Sequence, residues 1–267
     1  MSFPTLLPLP VTLDDDFDAP TLWQFADVPG PGKATRNIHV ALPAGYEPSA
    51  RRRYPVVYLQ DGQNLFDPAT AYADHWGMLE TLAARGAKRV PIVVGIPNLG
   101  IDRLREYSPF DDIIHGEGGG AAYLAFVRYT VKPLVDRAFR TRTSRASTTI
   151  AGSSMGGLLA MYGLVAGAST FGSAWVMSPA LWYADGAIYD WLERQPTPVG
   201  RLWLDVGLGE GIDAVHDVRR MRDMLVARGW RLDDTLHYRE DPDGDHDEGS
   251  WRRRIQENFR ALMGLME

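Results

Sequence analysis

The chain contains no cysteine. Disulfides, thiolate metal sites and a cysteine nucleophile are therefore excluded. Lysine is scarce: of 28 basic residues, only Lys33, Lys88 and Lys132 are lysines. Nowhere do about 18 apolar residues follow one another, so no membrane-spanning helix is expected. The first residues, MSFPTLLPLPVTLDDDFD, hold no basic residue. Their apolar run is broken by Pro4, Pro8 and Pro10, and four aspartates follow. A secretory leader does not read this way, and a cytoplasmic location is expected. Excess positive charge is also missing. The net charge of −6 gives no electrostatic footprint for nucleic acid, and neither nucleic acid nor a membrane is expected as a partner.

What is present is ordinary for a globular enzyme. The chain has 267 residues, 45% of them hydrophobic and 23% charged. That is enough for one large core, and a single domain over residues 1–267 is expected, with 1–35 as an N-terminal extension or edge strand. Short β-branched runs alternate with longer segments of helical periodicity. Arg36–Pro43, Pro55–Leu59, Val90–Ile96, STTIAG, a run within FGSAWVMSPALW, Arg201–Gly207 and DTLHYRED read as strands. DHWGMLETLAARG, ending at Gly86, reads as a helix, as do MGGLLAMYGLVAG and SWRRRIQENFRALMGLM. So does a segment with Val215, Val218, Met221 and Leu225 at helical spacing, stopped by Gly229. In EGGGAAYLAFVRYTVKPLVDRAF, EGGGA reads as a mobile loop and Pro133 as a bend or break in the helix that follows. The alternation predicts a mostly parallel sheet with helices on both faces.

Gly152-Ser153-Ser154-Met155-Gly156 sits between a predicted strand and a predicted helix. That is the context of a nucleophile elbow, with Ser154 at the corner. The N–H of Met155 opens the next helix and can face an oxyanion. A serine needs a base. Of the three histidines that follow, His216 falls in a helix and His237 in a strand. Only His246, in EDPDGDHDEGSW, lies in a loop after the last strand, where a general base is expected in a Ser–acid–His order. The alternating Asp241, Asp243, Asp245 and Asp247 look like the start of a calcium loop, but the glycine stands fourth and Arg252 twelfth, which an EF-hand does not allow.

The acid should follow the strand Arg201–Gly207. Asp205 lies within the strand, Asp213 is also placed to cap a helix, and Glu210 in GLGEG has no other evident role. Glu210 is the first candidate and Asp213 the alternative, with a Ser–His pair as the third reading. A second oxyanion donor is expected from YLQDGQNLFD, where Gly62 permits close approach and Gln63 N–H is the choice. Asn98 and Arg103 are candidates for substrate binding, with an Arg103–Glu106 ion pair as the alternative for Arg103. Trp182 and Tyr183 are candidates for stacking on a ring, whereas Trp76, Trp175 and Trp203 read as core.

The blocks YPVVYLQDGQNLFD, IPNLGIDRLREYSP, AGSSMGG, MSPALW, LDVGLGEG and DHDEGSW, in this order, resemble the Putative esterase family of α/β-hydrolases. The resemblance runs from about Arg36 to the C-terminus and is strongest to the esterase D and enterobactin-esterase-like branch. It implies an α/β-hydrolase fold without a lid domain, a small-molecule ester substrate and no cofactor or metal. It implies Ser154 and His246 as nucleophile and base, with a carboxylate near Glu210. A transferase working through the same acyl-enzyme, or a non-catalytic binder on this scaffold, are the rival readings. Nothing in the sequence indicates an oligomeric state.

Overall fold

The computed structural model describes residues 4–11, 13, 19–85, 90–196 and 200–266. Among the described residues nine strands form one sheet: β1 (Leu6–Leu9), β2 (Thr21–Pro29), β3 (Thr35–Leu42), β4 (Val56–Gln60), β5 (Ile92–Ile96), β6 (Thr148–Ser153), β7 (Ser173–Met177), β8 (Arg201–Gly207) and β9 (Leu236–Asp241). Their spatial order is β1-β2-β3-β5-β4-β6-β7-β8-β9. The strands from β5 through β4 to β9 pair in parallel, while β1, β2 and β3 add an antiparallel edge. From β4 the chain crosses to β5 on one side and then to β6 on the other. The carboxyl ends of β4 and β6 therefore flank the point where strand order reverses, where parallel sheets open a crevice.

The helices are α1 (Met78–Ala84), α2 (Arg103–Tyr107), α3 (Gly120–Phe126), α4 (Lys132–Ala138), α5 (Met155–Ala166), α6 (Tyr183–Glu193), α7 (Ile212–Ala227) and α8 (Glu248–Gly264). Side chains alternate along a strand, so β4 feeds two cores. Val56 and Tyr58 join one core with Leu158 and Leu159 of α5 and Val218 and Met221 of α7. Val57 and Leu59 join the other with Leu79 of α1 and Ile255 and Phe259 of α8. Trp76, Trp175 and Trp203 are buried in this second core. Helix α5 is buried around most of its circumference, as its nearly uninterrupted apolar and glycine sequence requires.

Three expectations are refined. The first helix begins at Met78, after a left-handed Gly77, rather than at Asp74. Gly86 lies outside the described residues. Pro133 does not break its helix: a π-helical stretch at Val127–Val131 joins α3 to α4 just before the proline. The wider turn accommodates a residue that has no N–H to give. EGGGA is not a free loop. Gly119 N–H donates to the Arg105 carbonyl (2.8 Å) and Gly120 N–H to the Ser108 carbonyl (2.7 Å), which seats the segment on the end of α2. Strands β1 and β2 and helices α2 and α6 are additions that the sequence pattern does not resolve as separate elements.

Candidate active site

Strand β6 ends at Ser153, and α5 starts at Met155. Ser154 makes the corner alone, with φ 54° and ψ −123°. A non-glycine residue there costs roughly 1–3 kcal/mol and needs its surroundings to hold it. Three hydrogen bonds do so. Ser154 N–H donates to the Met177 carbonyl, and the Ser154 carbonyl accepts from Leu158 and Ala180 N–H, each at 3.0 Å. The turn also brings Gly152 against Gly156, where a Cβ on Gly152 would lie 2.5 Å from the Gly156 carbonyl carbon. Glycine is required at that crossing.

The hydroxyl thus raised meets His246. Ser154 Oγ lies 3.0 Å from His246 Nε2. On the far side of the ring, Nδ1 lies 2.7 Å from Glu210 Oε2. A carboxylate there accepts a hydrogen bond from Nδ1–H, which keeps the proton on Nδ1 and leaves the Nε2 lone pair facing the serine. His246 is half-exposed, whereas the Glu210 side chain is 1% exposed. Burial alone would raise the Glu210 carboxyl. Hydrogen bonds from His246, Ser178 and Gly207 N–H outweigh it and hold the group below the usual carboxylate range. The second oxygen, Oε1, takes the Ser178 hydroxyl, the Gly207 N–H (2.7 Å) and Arg254 Nη2 (3.2 Å). The Trp251 ring stands edge-on to the imidazole, centroids 5.2 Å apart.

Asp213 does not reach the histidine. It occupies the second position of α7, and Gly211, not Asp213, is the N-cap. Asp205 is buried and ion-paired with Arg254. His216 is in α7, and His237 in β9 stacks on Trp203. The aspartates of the histidine loop also have local roles. Asp241 pairs with Arg253 at 2.8 Å, and Asp247 accepts from Ser250 N–H as the cap of α8. Among the described residues no three histidine or carboxylate side chains converge as a metal site would need.

Opposite the elbow, Asp61 (φ 56°) leads into a 3-10 turn, Gly62–Asn64. A Cβ on Gly62 would fall 2.4 Å from the Gly95 carbonyl carbon, so this turn can sit on β5 only as glycine. Gln63 and Met155 each stand at the start of a helical turn, where N–H groups have no partner inside the turn. Asp61 is buried and tied down on all sides. Arg103 binds it through Nε and Nη2, both at 2.8 Å, Asn98 Nδ2 donates at 2.7 Å, and Asp61 N–H donates to Tyr107 Oη at 3.1 Å. Asn98 N–H also reaches Gln63 Oε1 at 3.2 Å.

The alternative reading of Arg103, an ion pair with Glu106, is not what forms. Glu106 is instead bound to buried Arg36. Burial opposes the charge on Arg103, but its bond to Asp61 dominates and keeps the guanidinium firmly protonated.

These groups surround an open cleft of about 820 Å³. Five of the candidates, Gln63, Asn98, Arg103, Ser154 and His246, line it. Trp182 and Tyr183 do not. Trp182 is 60% exposed outside the lining, and Tyr183 is 1% exposed, packed between Trp182 and His115. Helix α6 starts at that tyrosine and turns it into the core. Tyr72, Ile101, Glu248 and Trp251 take their place in the cleft. Burial and the neighbouring charges of Asp247, Asp61 and Asp74 push the Glu248 carboxyl up. Glu248 and Trp251 are hidden in the sequence because they belong to the first turn of an amphipathic helix, where both have an ordinary structural reading. Ser178 and Arg254 carry no local signal at all.

Comparison with known proteins gives the family and the fold. A family model described as "Putative esterase" matches residues 33–262. An uncharacterized protein, YbbA, of Bacillus subtilis is 27% identical over 193 residues, 70% of this chain and 73% of its own. The iron(III) salmochelin esterase of Escherichia coli is 24% identical over 227 residues, 78% of this chain but only 50% of its own length. Among solved structures, the siderophore hydrolase EstA of Aspergillus nidulans superposes with a TM-score of 0.70 at 23% identity, covering 96% of this chain and 98% of that one. The sheet and its helices have the α/β-hydrolase fold.

Proposed function

The chain belongs to the Putative esterase family and is an esterase, and we propose that it cleaves small-molecule esters through an acyl-enzyme on Ser154. The observation that carries this reading is the continuous hydrogen-bonded line Glu210–His246–Ser154, ending on a strained corner. Ser154 Oγ attacks the ester carbonyl carbon while His246 Nε2 takes its proton. The carbonyl oxygen becomes an oxyanion between the N–H groups of Met155 and Gln63. The tetrahedral centre collapses, the C–O bond to the alcohol breaks, and His246 returns the proton to the leaving oxygen. Water then gives a proton to His246 and attacks the acyl carbonyl carbon; the second tetrahedral centre collapses, the C–O bond to Ser154 breaks, and His246 returns the proton to Ser154 Oγ as the acid leaves. Glu210 keeps the imidazole in the right tautomer and stabilises its charged form.

The substrate class is an ester of the siderophore kind. The names of the salmochelin esterase and of EstA support it. So does a cleft of about 820 Å³, large enough for such a ligand and lined by both polar and aromatic groups. The test is direct. A fluorophosphonate probe should label the protein at Ser154, as read by peptide mass. A panel of p-nitrophenyl esters, feruloyl esters, acetylated sugars, and catecholate and hydroxamate siderophores should single out the siderophore esters by kcat/KM. Absence of labelling would sink the acyl-enzyme. A preference for acetylated sugars would sink the substrate class. Mixed ester products in the presence of added alcohol would make the enzyme a transferase.

A further inference from the structure

We propose that Arg254 is a positioning residue that balances the charge on Glu210 and thereby sets how readily His246 takes a proton. This rests on the Ser154–His246–Glu210 reading above. Arg254 lies two turns into α8 and is 4% exposed. Its guanidinium reaches β8, the loop after β7, the acid turn and the histidine loop. Nη1 donates to Asp205 Oδ1, at the end of β8, and to Ser178 Oγ, in the loop after β7, at 3.1 Å. Nη2 donates to Glu210 Oε1 at 3.2 Å and to the carbonyl of Asp245, the residue before His246, at 3.1 Å. One planar fork thus fixes the acid turn and the histidine loop relative to each other.

The charge balance is as telling as the geometry. Asp205 and Glu210 have side chains 2% and 1% exposed, and the cation they share is Arg254. A buried carboxylate facing an unopposed guanidinium would lose its hold on a forming imidazolium. Two buried carboxylates without the guanidinium would favour the imidazolium more strongly and weaken His246 as a base. Asp205 engages part of the arginine, and Glu210 keeps enough charge for the histidine. The remaining charged groups near His246 are Asp241, paired with Arg253 and 3.5 Å from Arg254 Nε, then Asp245, Asp247 and Glu248 along its own loop. Across the cleft stands Asp61, bound to Arg103.

The experiment measures kcat and kcat/KM for p-nitrophenyl acetate against pH in Arg254→Gln, Arg254→Lys, Asp205→Asn and the double variant Arg254→Gln/Asp205→Asn. Loss of the cation stabilises the imidazolium, so Arg254→Gln should move the acid limb to higher pH by about one pH unit. Loss of the anion should move it the other way in Asp205→Asn. The double variant should return it towards the wild-type position. Arg254→Lys keeps the charge but not the fork, so the limb should stay while kcat falls by about tenfold. If Arg254→Gln does not fold, Asp205→Asn and the double variant decide. An acid limb unmoved in Asp205→Asn, or moved in the same direction by both single changes, overturns the proposal. Ser154→Ala is assayed alongside. Retained turnover there overturns the triad itself, whereas a dead Ser154→Ala with unmoved limbs overturns the role of Arg254 alone.

Discussion

Ser153 and Ser154 are neighbours with different surroundings. Ser153 is the buried last residue of β6, paired opposite Met177, and Ser154 is thrown out of the sheet by its positive φ. Ser154→Ala should lower kcat by about 10³-fold or more, while Ser153→Ala retains most activity. Initial rates on p-nitrophenyl acetate decide, and the opposite pattern would move the nucleophile by one residue. In the proposed mechanism His246 carries the proton and Glu210 steadies the ring, so His246→Ala should approach the loss of Ser154→Ala and Glu210→Ala should cost less. An unchanged rate in Glu210→Ala would reduce the machinery to a Ser–His pair. The pairing of Ser154 with His246 can be read from motif and loop order alone. The choice of Glu210 over Asp213 needs the structure. Both carboxylates follow the same strand, and only the turn Leu208–Glu210 directs the glutamate back at Gly207 N–H and the imidazole.

Single elements carry the site in ways that can be tested one by one. The turn Gly62–Asn64 rests directly on β5, so Gly62→Ala must displace it by an appreciable fraction of an ångström. We expect a loss in kcat on the order of 10²-fold, because an oxyanion donor moves out of line. Circular dichroism should stay close to wild type, and a full-rate Gly62→Ala would remove this turn from the mechanism. Helix α8 begins with the Asp247 cap, whose side chain accepts from Ser250 N–H at 2.7 Å. Asp247→Ala should cost about 1 kcal/mol in urea unfolding. Periodicity makes α5, α7 and α8 legible, because each shows an apolar or helical pattern long enough to count. It cannot show α2, five residues long, nor α6, whose first turns pass through left-handed Ala184, Asp185 and Gly186. The expectation of Tyr183 in the cleft fails for the second of these reasons.

At the scale of the whole molecule, the edge beyond β8 is held by charge as well as by the sheet. Arg219 of α7 grips Glu240 of β9 through two bonds, at 2.8 and 2.7 Å. That grip, with help from Tyr238, lowers the Glu240 carboxyl from 4.5 to about 2. A lowered carboxyl stabilises the fold above its unfolded value and ceases to as pH falls through the folded one. The contribution should therefore fade between about pH 4.5 and pH 2. Thermal melts of Glu240→Gln against wild type should differ near neutrality and converge towards pH 2. A constant gap would refute the assignment. The parallel half of the sheet is legible from its β-branched runs, and so is β3 of the antiparallel edge; β1 and β2 are foreseen only as an extension or edge strand without bounds, because prolines and polar residues break their alternation. The order in which the pieces of the site appear has one further consequence. His246 and Arg254 lie beyond all nine strands, so a ribosome makes the serine, then the acid, and the base only afterwards. On the proposed mechanism, a nascent chain with its sheet already laid down remains chemically silent until the segment carrying His246 and α8 emerges and docks. The appearance of turnover during synthesis therefore times the closure of the second core.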